Sequence, residues 1–393
     1  MNPPYFLIKA MEAGGIFSQL GINHSIERTY TMNSRERILT ALSNGKPDHV
    51  PIFELYINEP NIVDIARIIA PESVNVKAGK DKFGDESLAI LDLYCLIIEK
   101  LGIDATCTNF SIGIENIGND LGKDKYGTTY MLSEHGEPTP IDGPIKSNDD
   151  LSAFDPVSKI SLDDFVKVRY VIDKVGKKKA HFVSVTDPFK SSWRWRGGMQ
   201  NLLMDYVLNP QMVHDLASIA SDFDSKAIDI ISVSGADVVI VPGDLAGEYT
   251  TIMSPKHYRE FIKPYHKRLV KHAHDKGLKI IKHSDGNLWP IMDDLLEVGF
   301  DGIHPIQPQC MDIGEVKSYL KGKACVLGNI DCRDLLVSGT PEEVDTTVKK
   351  TIQKAAPGGG YIISSSNSIY PGCRSENYLA MVNAVQKYGK YPI

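Results

Sequence analysis

Along most of the chain, short runs of β-branched and aliphatic residues alternate with longer stretches whose apolar positions recur every three to four residues. The first pattern suits strands buried on both faces, and the second suits amphipathic helices. Strands are predicted at 50–54, 103–108, 181–185, 236–241, 279–283, 302–306, 324–329 and 360–366. Helices are predicted at 35–42, 88–101, 162–175, 199–231, 291–298, 313–320, 341–355 and 376–388, with another beginning at Ser254-Pro255 and kinked at Pro264. Eight strands alternating with helices are what a closed α/β barrel, (β/α)8 or TIM barrel, requires. Residues 33–393 are therefore expected to form a single barrel domain, preceded by an N-terminal extension over 1–32. Residues 109–160, irregular and rich in Gly, Asn and Asp, read as an insertion in the first half.

Local signals agree with this division. Asn33-Ser34 and Thr340 are helix-capping residues, and Gly45 and Gly102 follow predicted helix ends. An open doubly wound sheet is the competing architecture, but no GxGxxG follows any predicted strand.

Composition narrows the function class. A formal net charge of −7 argues against nucleic acid as the main partner. No apolar run reaches the ~18 residues needed to span a bilayer, and the first residues lack the basic start and apolar core of a signal peptide. The six cysteines, at 95, 107, 310, 325, 332 and 373, include no CxxC pair, so neither a disulfide framework nor a zinc ribbon is expected. A reduced, cytoplasmic setting is the expectation.

In such barrels the chemistry sits at the carboxyl ends of the strands. Those ends carry Glu54, Thr108, Asp187, Asp244, His283 with Asp285, His304, Asn329 with Asp331, and Ser366 with Asn367. His283 and Asp285 are two apart and share a face in extended backbone, where they can bind metal, move a proton or grip a substrate. Tyr56 shares the face of Glu54, as a substrate contact or as packing. The run Trp193-Arg194-Trp195-Arg196-Gly197-Gly198 reads as a loop that can stack on a flat ligand, form a docking face, or simply bury one Trp. There is no GxSxG, no HExxH, and the Gly358-Gly359-Gly360 run precedes a strand rather than a helix.

Several of these segments, taken in order, carry a resemblance. Ser34-Arg35-Glu36-Arg37 with Val50-Pro51, Ser254-Pro255-Lys256-His257-Tyr258-Arg259, His283-Ser284-Asp285-Gly286-Asn287, Gly328-Asn329-Ile330-Asp331 and Glu376-Asn377 resemble the uroporphyrinogen decarboxylase superfamily, from about residue 33 to the end. The resemblance implies a distorted (β/α)8 barrel and either porphyrinogen decarboxylation or corrinoid-dependent methyl transfer. The decarboxylases place an arginine-bearing segment after the first strand; here the segment is Phe53-Glu54-Leu55-Tyr56-Ile57-Asn58-Glu59-Pro60, whose acids would repel a polyanionic tetrapyrrole. The methyltransferases that methylate coenzyme M bind zinc through His-x-Cys and a distant Cys. His283 matches the histidine, whereas Asp285 and Asn367 stand where the thiolates belong.

What remains resembles the methyltransferase component of anaerobic O-demethylases, which moves a methyl group from a methoxylated compound to a corrinoid. It implies catalytic roles for His283, Asp285, Glu54 and Asp244, and a metal held by His283, Asp285 and Glu54, with zinc as the candidate. Tyr56, Asp187, Phe189, Trp193, Arg196, His304, Asn329 and Asn367 would contact substrate. The corrinoid, a cobalamin, would come on a separate corrinoid-binding protein, because no Asp-x-His-x-x-Gly motif occurs in the chain. A homodimer is compatible with this likeness, and decarboxylation or a methylamine or thiol reaction stays open as an alternative.

Overall fold

The computed structural model describes residues 31–74, 87–132 and 138–393. Apart from its last two residues, the expected N-terminal extension lies outside them. Helix α1 (Ser34–Leu42) begins with a reciprocal cap, in which the Asn33 side chain accepts from Glu36 N and Glu36 accepts from Asn33 N. Helices α2 (Glu59–Ile69) and α3 (Leu88–Lys100) lead to strand β1 (Ala105–Asn109). Four antiparallel strands follow: β2 (Ile114–Gly118), β3 (Leu121–Asp124), β4 (Thr129–Leu132) and β5 (Pro138–Asp142), which form a sheet of their own.

The alternation then becomes regular. Helix α4 (Val166–Val175) precedes β6 (Ala180–Ser184), and helices α5 (Pro188–Trp195), α6 (Met199–Leu208) and α7 (Pro210–Ser232) lead to β7 (Val238–Pro242). Next come α8 (Lys263–Asp275), β8 (Lys279–His283), α9 (Met292–Val298) and β9 (Gly302–His304). The chain ends through α10 (Ile313–Leu320), β10 (Cys325–Leu327), α11 (Pro341–Ala355), β11 (Tyr361–Ile362) and α12 (Ser375–Tyr388).

Seven strands make one parallel sheet in the order β1-β6-β7-β8-β9-β10-β11, a curled, TIM-barrel-like α/β arrangement. The first predicted strand, 50–54, makes an isolated bridge, Ile52 with Ile363, rather than a continuous ladder. Pro51 has no N–H to give to a ladder, and Ile52 N bonds the Asp104 carboxylate instead of a backbone carbonyl. Residues 51–53 nevertheless join the sheet's two edges: Phe53 N donates to Ile363 O, Ile363 N to Pro51 O, and Asp104 N to Ile52 O.

Strand residues alternate between two cores, as period two demands. Phe53, Ala105, Phe182, Val238, Ile240, Ile281, Leu327 and Ile362 pack in one cluster, closed at the amino end of the strands by Ile38, Ala41 and Leu42 of α1. The intervening Val183, Val239, Ile280, Ile303 and Tyr361 pack in the larger cluster with the helices. Gly302 belongs to the inner set by necessity, since a Cβ there would come within 2.7 Å of Leu327.

Two expectations are corrected. The Trp193-to-Gly198 run begins inside a helix, because Asp187 caps α5 through Phe189 N and Lys190 N and Pro188 stands at its first position. Pro264 lies not inside a helix but at the start of α8, after a π-turn over Tyr258–Ile262, where no N–H is needed. No helix among the described residues is long and apolar enough to cross a membrane.

Behind β8 lies a fully buried ion pair. Lys282 Nζ is 2.8 Å from Asp187 Oδ2, and the same oxygen accepts from His266 Nε2 at 2.8 Å. Lys282 also donates to the carbonyls of Val241 and Gly243. Burial alone would raise the Asp187 carboxyl, but Lys282 and His266 outweigh it and hold the group well below the usual range. Asp187→Ala would leave Lys282 buried and unpaired and remove a helix cap, so a loss of roughly 3–5 kcal/mol is expected in denaturant unfolding. Lys282→Met added to that variant should recover part of the loss.

Candidate functional site

His283 is the last residue of β8 and has the inward parity of Ile281. It lies across from His304 in the β8–β9 register, and the two Nδ1 atoms are 2.8 Å apart. His304 Nε2 is 3.2 Å from Ser364 Oγ, whose hydroxyl hydrogen is directed to Ser365 O. A hydroxyl has one hydrogen, so Ser364 accepts from His304, which places that ring's hydrogen on Nε2 and its lone pair on Nδ1. His283 must then donate from Nδ1, which leaves its Nε2 lone pair directed away from the pair, 3.9 Å from Asp244 Oδ1.

Both rings stay neutral. Burial, followed by the charges of Lys282 and Lys190, pushes His283 down to about 3. Burial, followed by His283, drives His304 well below its ordinary value. His283 is therefore a lone-pair donor near neutral pH and not a proton donor, and it is oriented by His304 rather than by Asp285.

The loops after β7 and β8 bring two carboxylates to that lone pair. Gly243 N donates to His283 O, Leu245 N to Ser284 Oγ, and Asp285 N to Asp244 Oδ1 at 3.0 Å. Gly243 has no room for a side chain, because a Cβ would lie 2.6 Å from Asp187. One ligating atom from each of Asp244, His283 and Asp285 falls within 4.8 Å of the others. Asn367 Nδ2 donates to Asp285 Oδ2 at 2.6 Å, while Asp285 Oδ1 is buried without a hydrogen-bond partner among the described residues. Burial and then the Asp244 charge push the Asp285 carboxyl up to about 7, which is the environment a cation would relieve.

One imidazole nitrogen and two carboxylate oxygens fit a divalent metal with an open position, zinc included. The orphaned Asp285 oxygen is the observation that favours such an ion. No cysteine belongs to the group.

The other expected residues fall in different places. Glu54 is not with His283: it is buried against Ser365, accepting from its backbone N and its hydroxyl at 3.0 and 2.7 Å, and burial pushes its carboxyl up to about 8. Asp187 is consumed by the ion pair described above. Phe189 is fully buried in the helix-side core, where α5 turns its ring inward. Arg196 is tied to Asp205 and to Ile145 O, and Asn329 Nδ2 donates to Ile306 O at 2.7 Å. Trp193 is half-buried against the core with the Arg194 guanidinium 5.9 Å from its ring.

Tyr56 does line a cavity, of about 390 Å³. Its walls include Asn109, Ser184 and Pro242 at the carboxyl ends of β1, β6 and β7, and Ile114, Tyr130 and Pro138 of the antiparallel sheet. Lys190 and Arg194 of α5 also line it. Lys190 was not anticipated from sequence, and Arg194 only as part of the Trp193-to-Gly198 run. The available signal was their four-residue spacing behind the Asp187-Pro188 helix start, which puts them on one helix face. Lys190 links cavity and triad, since its charge is felt by His283 and Asp285, and burial followed by Arg194 lowers it to about 8.

The sequence profile of the uroporphyrinogen decarboxylase (URO-D) family matches residues 87–388, and the chain belongs to that family. It is 22% identical over 364 residues to the methylated-thiol–coenzyme M methyltransferase of Methanosarcina mazei, covering 91% of this chain and 90% of that one. The methylcobamide:CoM methyltransferase MtbA of Methanosarcina acetivorans is 24% identical over 56% of this chain and 62% of its own length. A uroporphyrinogen decarboxylase of Thioalkalivibrio sulfidiphilus is 25% identical over 46% of this chain and 50% of its own. Among solved structures, a methyltransferase from Methanosarcina mazei superposes with a TM-score of 0.69 at 18% identity, over 91% of this chain and 99% of that one, and so shares the fold.

Purified protein is expected to carry up to one divalent ion per chain by mass spectrometry, and His283→Ala or Asp285→Ala should abolish it. His304→Ala should weaken metal affinity about 10- to 100-fold by freeing the His283 tautomer. Glu54 gives a separate pH test. Its folded value of about 8 exceeds the ordinary 4.5, so the unfolded chain binds fewer protons between those limits and stability falls as pH rises through them. Glu54→Gln should flatten that slope, which carries roughly 3–5 kcal/mol across the window.

Proposed function

We propose that this protein is a corrinoid-dependent methyltransferase that demethylates a small methoxylated aromatic compound and passes the methyl group to the cobalt(I) of a corrinoid on a separate protein. We read the barrel as eight-stranded, with residues 50–54 as its first strand, on the strength of the hydrogen bonds joining 51–53 to both sheet edges. The observation that carries the function is the Asp244–His283–Asp285 triad beside the cavity, with Asn367 on Asp285. The methyltransferase names of the relatives, which span much of the chain, support the reaction class. The oxygen donors support an ether rather than a thiol, since carboxylates keep a bound cation hard and suited to oxygen.

A divalent ion held by Asp244, His283 and Asp285 would supply Lewis-acid polarisation of an ether oxygen. The remaining work falls to the chain's own residues. His304 and Ser364 fix the His283 tautomer. Asn367 holds one Asp285 oxygen so that the other faces the site. Tyr56, Tyr130 and Phe110 supply aromatic wall to a cavity sized for a single ring. In the transfer the methyl–oxygen bond breaks and a carbon–cobalt bond forms with cobalt's electron pair. The bonding pair of the ether stays on oxygen as a phenolate. Lys190, lowered to about 8, can protonate a phenolate whose pKa is about 10.

The test is to mix the protein with a reduced corrinoid protein and a panel of methoxylated aromatics and to follow the methylcobalt absorbance. Methylation is expected with an aromatic ether and should fall at least about 100-fold in Lys190→Met, the scale of lost general-acid catalysis. Turnover confined to methylated thiols or amines, or carbon dioxide released from uroporphyrinogen, would contradict the proposal.

A further inference from the structure

The pairing of β8 with β9 runs on past the residues where both strands end. Ser284 N donates to His304 O at 3.0 Å, the next step after the paired His283 and His304. Bonds along a parallel ladder are evenly spaced, so the following step would join Gly286 N to Ile306 O. That carbonyl is turned away. Ile306 has a φ of 55°, and its O accepts from Asn329 Nδ2 at 2.7 Å. A side chain takes its place, with Gly286 N donating to Gln307 Oε1 at 2.9 Å.

The turn that makes this possible is strained and held from several sides. A β-branched residue in the left-handed region is a genuine outlier, and it persists only where its surroundings impose it. Ile306 is fully buried in the helix-side core, and Gln307 O accepts from both Cys310 N and Met311 N on the way to α10. Gly286 is wedged in its turn. Its φ is 89°, and a Cβ there would lie 2.6 Å from the carbonyl of Ala246, in the loop that bears Asp244.

Asp285 stands between two of these bonds. Its own N donates to Asp244 Oδ1, and the next N along the chain donates to Gln307. The backbone is therefore fixed on both sides of the side chain whose Oδ2 is held by Asn367 and whose Oδ1 is unpartnered among the described residues.

We infer that Gln307 is a positioning residue for the Asp244–His283–Asp285 group. Residues 304–307 form one bracket behind both β8 ligands, in which His304 sets His283 and Gln307 sets Asp285. Asn329 holds the bracket by keeping Ile306 left-handed. Groups behind the ligands orient them and tune their affinity for a metal. This rests on the metal-binding reading of the triad and adds the support of Asp285 to it.

Gln307 is half-buried and outside both cores, so it can be changed without opening either. With cobalt(II) as the probe, Gln307→Met, which keeps the length and removes the acceptor, should bind about ten-fold more weakly and with an altered visible spectrum. Gln307→Glu supplies an oxygen again and should restore the spectrum, and Asn329→Leu should resemble Gln307→Met. Affinity and spectrum unchanged in Gln307→Met would overturn the inference and leave the metal site standing. Amide hydrogen exchange tests the bracket without any metal. The Asp285 and Gly286 amides should exchange about ten-fold faster in Gln307→Met than in the unaltered protein, the scale of one hydrogen bond. If the unaltered protein takes up no cobalt, the metal reading fails and these rates still decide the bracket. Equal rates would overturn it, as would a Gly286 amide that is unprotected in the unaltered protein.

Discussion

The site depends on one buried charge pair. Lys282 and Asp187 are both fully excluded from water, and their 2.8 Å contact ties three elements that the sequence keeps far apart. Asp187 caps the helix that carries Lys190 and Arg194. Lys282 immediately precedes His283 and grips the carbonyls of Val241 and Gly243, so the loop bearing Asp244 is fixed to the strand bearing His283. Such a pair contributes little net stability over an apolar substitute, but once present it tolerates few arrangements. That intolerance is useful where three ligands must converge.

From this anchor the chemistry follows in short steps. Inward parity puts His283 and His304 side by side, and the Ser364 hydroxyl decides which nitrogen of His283 is bare. The bare nitrogen meets two carboxylates and no thiolate. A methyltransferase from Methanosarcina mazei shares the fold, and the relatives include a methylated-thiol–coenzyme M methyltransferase, yet no cysteine joins the group here. A ligand set of nitrogen and oxygen suits an ether oxygen better than a thiol.

Much of this was legible in the sequence, for physical reasons that also explain the gaps. The 3.6-residue period and the Thr340-Pro341 start gave the bounds of Pro341–Ala355, because local propensity and packing agree there. His283 and Asp285 stood out because their strand falls in a barrel series whose carboxyl ends nearly all carry polar groups. Lys282 was invisible among them, since its partner is 95 positions away and only the closed sheet brings the two together. Arg194 was read only within a tryptophan- and glycine-rich run that looked like a loop, and Lys190 just before it was missed, because one side-chain cap from Asp187 makes both part of a helix. Glu54 was placed with the metal ligands on strand-end logic, but Ser365 of the neighbouring edge takes both its oxygens.

The central claim is that a cation is held here by nitrogen and oxygen alone. X-ray absorption at the metal edge of the zinc-loaded protein tests it most directly. The account predicts a first shell of nitrogen and oxygen scatterers at roughly 2.0–2.2 Å that is lost in Asp285→Ala. A sulfur scatterer at about 2.3 Å would contradict it.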